Sequence, residues 1–569
     1  MRPKYKDAAP EETVEKITRA FNEVGVHMEA TFMEPINNVV SVRLTDREHG
    51  FETYGKGTSR QWALASAYGE AAERFQNRML YEVPAYTRDD GLPFYEWPDE
   101  ERVSIHEALK APFIAEDLAR HFKDNSCSAE EFLRDFYKTD TVSNVPYTSC
   151  ISGETVLLPD RIIGTLCGSN GLSAGNTYEE AICQGLSEIA ERYSKFTLLR
   201  ENIPPVTVPR EFLQKEVPEL FQIIEDIEKR AGARITVRDM RPITGFPVLQ
   251  VLLTDSANQR YYTRFGCHPV FHIALERSIT ELLQGQDDVT HISTMISWPQ
   301  ERKINSFRNL SDSLKADLGD LSDEFLAGIT DREFTAWPAS GEFTNREGVK
   351  LLSDAFAGIA PDIFIRKTGF LGIPAVRIYI PGVSPLPVCF SRRILEYNRA
   401  RKILHDIDLL PDAADKETLQ LLSDAFTADD SLAGSRIDWR PMPVGYEETK
   451  GLLLYMQHRD EEAMAALEKA KTSPGKCMYH FLRLTLAGQD ERVKQAVLEM
   501  FFDGKTVRFI NKVAAQRENA LAVWLDPTGL YRTFRQMTAM KVRTDDHMRE
   551  LETKVKERML KAYDGCAAH

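Results

Sequence analysis

Residues 63–75 read ALASAYGEAAERF, residues 181–193 read AICQGLSEIAERY and residues 274–285 read ALERSITELLQG. The three segments align without gaps. In each, an alanine stands seven residues before a glutamate: Ala63 and Glu70, Ala181 and Glu188, Ala274 and Glu281. Seven residues make two helical turns, so each alanine shares a helix face with its glutamate. Such a small side chain is expected to let helices pack closely beneath the acids. The first two segments add Glu73 and Glu191 three residues on, with Arg74 and Arg192 directly after them. A single Glu-x-x-Glu-Arg is ordinary decoration of a solvated helix. Two near-copies on small, apolar helices with an alanine in register are hard to obtain in that way. Clustered carboxylates repel one another unless a positive charge sits among them, and a bound divalent metal resolves the repulsion.

Facing glutamates also suit a di-iron centre, but bundles that hold one usually carry Glu-x-x-His. Here arginine follows the second acid twice, and no histidine stands three residues after either pair. Oxygen-only ligands favour magnesium, which takes one or two carboxylates together with substrate phosphates. Arginine supplies planar donors for those phosphates. The combination reads as a magnesium–nucleotide site. Gly55-Lys56-Gly57, Ser169-Asn170-Gly171 and Ala174-Gly175-Asn176 precede the first two helices and read as turns whose amides can approach phosphate. None of them matches a Walker A or a dinucleotide fingerprint.

Around these segments helical and strand patterns are mixed. Residues 11–25, EETVEKITRAFNEVG, carry apolar positions at helical spacing, and 38–44, NVVSVRL, alternate as a strand does. Helices are expected over 63–80, 178–199 and 272–284, and strands over 248–253, 261–265 and 375–380. A proline-punctuated run, PGVSPLP at 381–387, closes this part. Beyond about 391 strand signals thin out. Helical periodicity marks 392–410 and resumes from 446, while 427–445 is rich in Asp, Ser, Gly and Pro and reads as a linker. The pattern predicts an α+β domain over 1–390, a helical connector and linker over 391–445, and an all-α domain over 446–569. Within the last, Gly451-Leu452-Leu453-Leu454-Tyr455 followed by Asp460-Glu461-Glu462-Ala463 and Ala466 resembles a tetratricopeptide-type helix pair.

Length supports more than one domain, because 569 residues exceed the roughly 250–300 at which a single core stops growing. A net charge of −15 and a pI near 5.5 make nucleic acid a poor direct partner. The eight cysteines show neither CxxC nor zinc-finger spacing and are expected as free thiols. The charged first ten residues carry no apolar export core, and no stretch reaches the roughly 18–20 apolar residues that span a bilayer, so a cytoplasmic protein with no membrane partner is expected.

The blocks GKGTSRQWALASAYGEAAERF, SNGLSAGNTYEEAICQGLSEIAERY and FGCHPVFHIALERSITELLQGQ resemble, in order and spacing, the three signatures of the YcaO family, over roughly residues 1–390. With Lys6-Asp7-Ala8-Ala9, EPINNVVSVRLTDRE and the appended helices, the chain is similar to the family's stand-alone bacterial type. The resemblance implies an α/β domain binding ATP and Mg2+, followed by a helical-repeat-like domain. Carried over by residue, it implies Glu70, Glu73, Glu180, Glu188, Glu191 and Glu281 as metal ligands. It also implies Lys6, Thr13, Arg74, Asn176, Gln184, Arg192 and Arg277 as nucleotide contacts, with Glu70, Glu191, Arg192 and Arg277 carrying catalysis. Thr13 stands where close relatives often have serine, which keeps the hydroxyl.

Family members activate a peptide amide: a nucleophile adds to the carbonyl, its oxygen is captured by phosphorus of ATP, and elimination follows. No protein nucleophile is needed, in keeping with the lack of a Cys/His or Ser/His/Asp arrangement; Cys267 and His268 read as packing or pocket wall. One departure stands out. Azoline-forming members end their catalytic domain in a proline-rich tail, whereas this chain continues into helices and ends Asp564-Gly565-Cys566-Ala567-Ala568-His569. The resemblance therefore points to the accessory role of that architecture, beside a radical methylthiotransferase that modifies an aspartate of a small-subunit ribosomal protein, and to a homodimer. A nucleotide-regulated scaffold that recruits a modification enzyme through its helices is the alternative.

Overall fold

The structure is a computed structural model that describes residues 5–46, 48, 51–79, 96–121, 128–137, 139–290, 295–298, 307–317, 319–337, 343–386, 446–470, 472–520, 524 and 545–567. The expected helix at 392–410 and linker at 427–445 lie outside these. The described residues form two compact units. One gathers those of 5–121 and 129–386 with the helix Asp545–Ala567, and the other those of 446–524.

The first unit holds three sheets, and every strand pair in them is antiparallel. Strands β1 (Glu29–Ile36), β2 (Val39–Asp46) and β3 (Phe51–Gly57) make the first. Strands β4 (Glu101–Ser104), β5 (Thr141–Ser149), β6 (Thr155–Pro159) and β7 (Leu172–Ala174) belong to the second. The third runs from β8 (Val206–Thr207) through β9 (Arg234–Asp239), β10 (Val248–Asp255) and β11 (Arg260–Cys267) to β12 (Ile296–Ser297). The chain then returns to complete the second sheet with β13 (Phe364–Thr368) and β14 (Ala375–Tyr379), giving the order β4-β5-β13-β14-β7 with β6 beside β5.

Each sheet sends one strand directly into one glutamate-bearing helix: β3 into Arg60–Gln76, β7 into Tyr178–Glu201 and β11 into Phe271–Leu282. Ser59 and Thr177 cap the first two by accepting the amides of Trp62 and Glu180. Each helix also touches a second sheet: the first meets β7 and β14, the second β10 and β11, the third β2 and β3. Each glutamate helix thus touches two sheets.

The aligned alanines explain how the helices are seated. Ala63, Ala181 and Ala274 are fully buried, each against a glycine of its own strand or turn. A Cβ on Gly57 would stand 2.7 Å from the Ala63 nitrogen, one on Gly175 2.7 Å from the Ala181 nitrogen, and one on Gly266 would strike the Ala274 carbonyl. The small residues therefore admit strand backbone, where the sequence pattern led us to expect a neighbouring helix. Gly55-Lys56-Gly57, read from the sequence as a turn, forms the end of β3 for the same reason: Gly55 and Gly57 lie flush on the helix backbone.

Behind the second sheet lies a buried network of ions. Asp160 accepts the Tyr147 hydroxyl at 2.9 Å and pairs with Arg377 at 3.2 Å and Arg78 at 3.6 Å. Arg78 also reaches Glu100 at 2.7 Å and lies over the Trp97 ring, while Arg366 grips Asp99 through two bonds of 2.6 and 2.7 Å.

The second unit is all-α among the described residues. Helices Tyr446–Met456, Asp460–Leu467, Ser473–Leu486, Glu491–Phe501 and Gly504–Ala515 close on Leu452, Leu467, Met478, Leu482, Val507 and Ile510. Gly451 lets the first two cross, since a Cβ there would strike Leu467. The final helix, Asp545–Ala567, expected in this domain, packs instead on Pro10–Val24 in the first unit. Leu551, Val555 and Met559, four residues apart on one face, bury there, Arg558 pairs with Glu23, and its guanidinium donates to the Leu371 carbonyl at 3.2 Å.

Candidate functional site

Acids from all three helices converge. On the first, Arg74 lies 3.4 Å from Glu70 and 3.5 Å from Glu73, and on the second Arg192 lies 3.0 Å from Glu188. Burial pushes the Glu73 carboxyl up to about 8; Arg74 pulls it back, and the charges of Glu188 and Glu70 add to the rise. Two helices therefore bring their carboxylates near each other, partly withdrawn from water. Glu191 is raised as well, chiefly by burial, with Lys195 opposing. Arg192 also donates to the Leu314 carbonyl at 3.1 Å, which fastens the helix Phe307–Ala316 beside the acids.

The third helix contributes Glu281, whose carboxylate is met by Lys56 from β3. Lys56 also donates to Gln284 at 3.1 Å. Desolvation pulls its ammonium down to about 8 against the attraction of Glu191 and Glu70, and Arg277 and Arg264 add to the fall. Arg277 donates to the Cys267 carbonyl at 2.8 Å and to the Gln184 side chain, tying the third helix to the second.

A separate polar group joins the N-terminal segment to the start of the second helix. Glu180 accepts the Lys6 ammonium at 3.0 Å and the Asp7 amide at 2.9 Å, and Asn176 donates to it at 3.1 Å. Thr13 in turn donates to Asn176 at 2.9 Å. Burial would raise Glu180, but Lys6 and the Asp7 amide hold it below the ordinary carboxylate range. Eight residues separate it from Glu188, about 12 Å along the helix, so Glu180 stands with Lys6, Thr13 and Asn176 and away from the other carboxylates.

Among the described residues no three His, Cys, Asp or Glu side chains close around a single point as ligands of one ion. The donors nonetheless suit a hard cation. They are carboxylate oxygens, and one of them, Glu73, is driven toward its neutral form by burial and by like charge, the latter of which a divalent ion would relieve. No thiol competes. Burial raises Cys183 to about 11 and holds Cys267 well above its ordinary value, and His268, almost fully buried, is kept well below its own. Cys150, Cys167, Cys183, Cys267 and Cys477 are free; the other three cysteines lie outside the described residues or in a stretch whose side chains are not described. No helix among the described residues is long and apolar enough to cross a membrane.

A family model described as YcaO cyclodehydratase, ATP- and Mg2+-binding, matches residues 54–384, more than half of the chain. The chain belongs to the YcaO family. Its YcaO domain binds ATP and Mg2+. The chain is similar to the ribosomal protein S12 methylthiotransferase accessory factor YcaO of Escherichia coli (strain K12), 32% identical over 394 residues that cover 67% of this chain and 66% of that protein. The match therefore spans just under two thirds of that relative's length. Among solved structures, a heterocyclase in complex with substrate and cofactor is 19% identical with a TM-score of 0.49, covering 66% of this chain and 53% of the other. YcaO from Methanopyrus kandleri bound with AMPPCP and Mg2+ is 19% identical with a TM-score of 0.42, covering 66% of this chain and 92% of the other. Lys6 and Thr13 precede the part of the chain that matches the YcaO model.

Four charged residues beside this YcaO site carried no weight in the sequence. Lys56 was visible only as the residue between two glycines. Lys195 and Arg264 converge on Asp317, the latter at 3.1 Å, from a helix, a strand and a loop far apart in sequence. Lys195 follows Glu191 by four residues, and that spacing was its one available signal.

Proposed function

We propose that this chain uses the cleft between its three glutamate helices to hold Mg–ATP and consumes ATP in activating a peptide amide or related carbonyl. The observation that carries the proposal is the crowding of Glu70, Glu73 and Glu188, with Glu73 pushed up to about 8, beside two arginines that each lean on a carboxylate of their own helix. In this reading Glu70, Glu73, Glu188, Glu191 and Glu281 hold the metal. Glu180, which the resemblance adds as a further ligand, is engaged here by Lys6 and the Asp7 amide and in this reading orders the N-terminal segment. Lys6, Thr13, Arg74, Asn176, Gln184, Arg192 and Arg277 face the nucleotide. The metal supplies stabilisation of charge that develops on phosphoryl oxygens. The arginines add planar donors to the same oxygens. Glu70, Glu191, Arg192 and Arg277 are the groups on which we place catalysis.

The biological setting we propose is post-translational modification in the cytoplasm. By likeness to the E. coli accessory factor, the chain assists a radical methylthiotransferase acting on a small-subunit ribosomal protein, as a homodimer whose helical-repeat-like unit meets protein or peptide. A second reading, a nucleotide-regulated scaffold, is favoured by Val493, Met500 and Phe501, which turn outward from one helix of the second unit, the last two 76% and 75% exposed. Calorimetry of ATP binding with and without Mg2+, on wild type, Glu70→Gln and Glu191→Gln, tests the site. Metal-dependent binding lost in both variants supports it. Binding that ignores the metal or the substitutions removes it. ATP turnover that rises with a peptide acceptor separates the enzyme from the scaffold.

A further inference from the structure

We infer that Lys56 is a resident counter-ion of the glutamate cleft, pairing with Glu281 in the metal-free chain, competing with magnesium for the carboxylates and giving way when the metal enters. The inference rests on the reading of the cleft as a magnesium site. Its basis is a break in the threefold pattern. In the first two segments an acid is followed three residues later by a second acid and then by arginine: Glu70, Glu73, Arg74 and Glu188, Glu191, Arg192. In the third the corresponding residues are Glu281, Gln284 and Gly285, with neither second acid nor arginine. Lys56 meets both Glu281 and Gln284, so it supplies from outside a cation on the side of Glu281 where the other two helices carry Arg74 and Arg192.

The difference in origin decides what each cation can do. Arg74 and Arg192 lean on acids of their own helices, Glu70 and Glu188. Lys56 arrives from β3, in another sheet, on a four-carbon stem. Gly55 and Gly57 press the strand on the first helix, so the backbone at Lys56 is fixed by those contacts. Strand alternation turns its side chain to the opposite face, toward the third helix. Among the described residues the ammonium meets the Glu281 carboxylate and the Gln284 side-chain oxygen, acceptors that a divalent ion would also take. A magnesium ion on these carboxylates and an ammonium beside them repel each other at short range, so the two compete.

The experiment uses the full chain stripped of metal, as wild type, Lys56→Met and Lys56→Arg, titrated with MgCl2 alone by calorimetry and melted with and without Mg2+. Lys56→Met is expected to bind Mg2+ about tenfold more tightly than wild type. It should also melt lower in EDTA, because the carboxylates lose their cation, and regain that loss on adding Mg2+. Lys56→Arg keeps the charge and should titrate like wild type. If Lys56→Met does not fold, Lys56→Gln carries the same expectation. Magnesium affinity that is unchanged or weaker without the ammonium, while wild type still binds Mg–ATP, overturns the counter-ion alone. If wild type binds no Mg2+ even with ATP present, the reading of the cleft fails and the counter-ion fails with it.

Discussion

Asp160 and Glu73 are both carboxylates sunk in the first unit, yet Asp160 is held below the ordinary carboxylate range while Glu73 is pushed up to about 8. Burial raises both. At Asp160 the guanidiniums of Arg377 and Arg78 and the Tyr147 hydroxyl outweigh it, whereas at Glu73 Arg74 and Arg192 pull the other way without outweighing it and Glu188 and Glu70 reinforce the rise. In the first cluster each acid meets a donor supplied by the protein. In the second, acids from different helices converge, and Glu73 stays raised despite the arginines beside it. A complete network stabilises a fold; an incomplete one is what a ligand site looks like before its cation arrives.

The contrast is sharpest under substitution. Arg377→Met takes a partner from a buried acid and leaves Asp160 with the Tyr147 hydroxyl and with Arg78 at 3.6 Å. Breaking such a pair typically costs about 3–5 kcal/mol. Urea unfolding followed by a probe in the first unit should show that loss, and a change below about 1 kcal/mol would mean that the network does not hold the sheet. Glu191→Gln should do the reverse: little harm to folding, since an acid raised by burial becomes neutral, but a fall in Mg–ATP affinity of about a hundredfold, near 2.7 kcal/mol. Calorimetry reads it, and wild-type affinity in the variant would remove Glu191 from the site.

How much of this was legible depends on whether the information was local. The glutamate helices announced themselves by an alanine–glutamate interval of two turns, and helices stand at Arg60–Gln76, Tyr178–Glu201 and Phe271–Leu282. The strands at Val39–Asp46, Val248–Asp255 and Ala375–Tyr379 followed from β-branched alternation. The partner of each alanine did not follow, because a small residue licenses close approach without naming what approaches. Lys56 was obscured for a related reason: a lysine between glycines looks like a turn until β3 is known to end against a helix. Asp317, Lys195 and Arg264 meet through tertiary structure alone. The last helix has the same periodicity as its neighbours in sequence, so only packing could assign it to the first unit.

The smallest expected effect tests the contrast through pH. Glu73 titrates near 4.5 when unfolded and is pushed up to about 8 in the folded chain. Between these values the folded state keeps a proton that the unfolded state has released. The contribution of Glu73 to the stability of the metal-free protein therefore falls as pH rises from about 4.5 to 8, and is level above that. Asp160 has the opposite sign, its stabilisation being lost only as pH drops below the ordinary carboxylate range. Lys56, lowered to about 8 from 10.5, changes its proton balance above the Glu73 window, so the two slopes separate. Glu73→Gln should flatten the decline and raise metal-free stability at pH 8 by about 1–2 kcal/mol, after discounting the shift for residual solvent. Magnesium reverses the sign in wild type, because a ligating carboxylate must give up its proton, so Mg2+ affinity should climb from pH 6 to 8 and climb less in Glu73→Gln. Urea midpoints across that range, with EDTA and then with Mg2+, measure both slopes. If wild type and variant run parallel in EDTA, Glu73 is no more crowded than an ordinary surface acid, and the distinction between the two clusters fails at its most specific point.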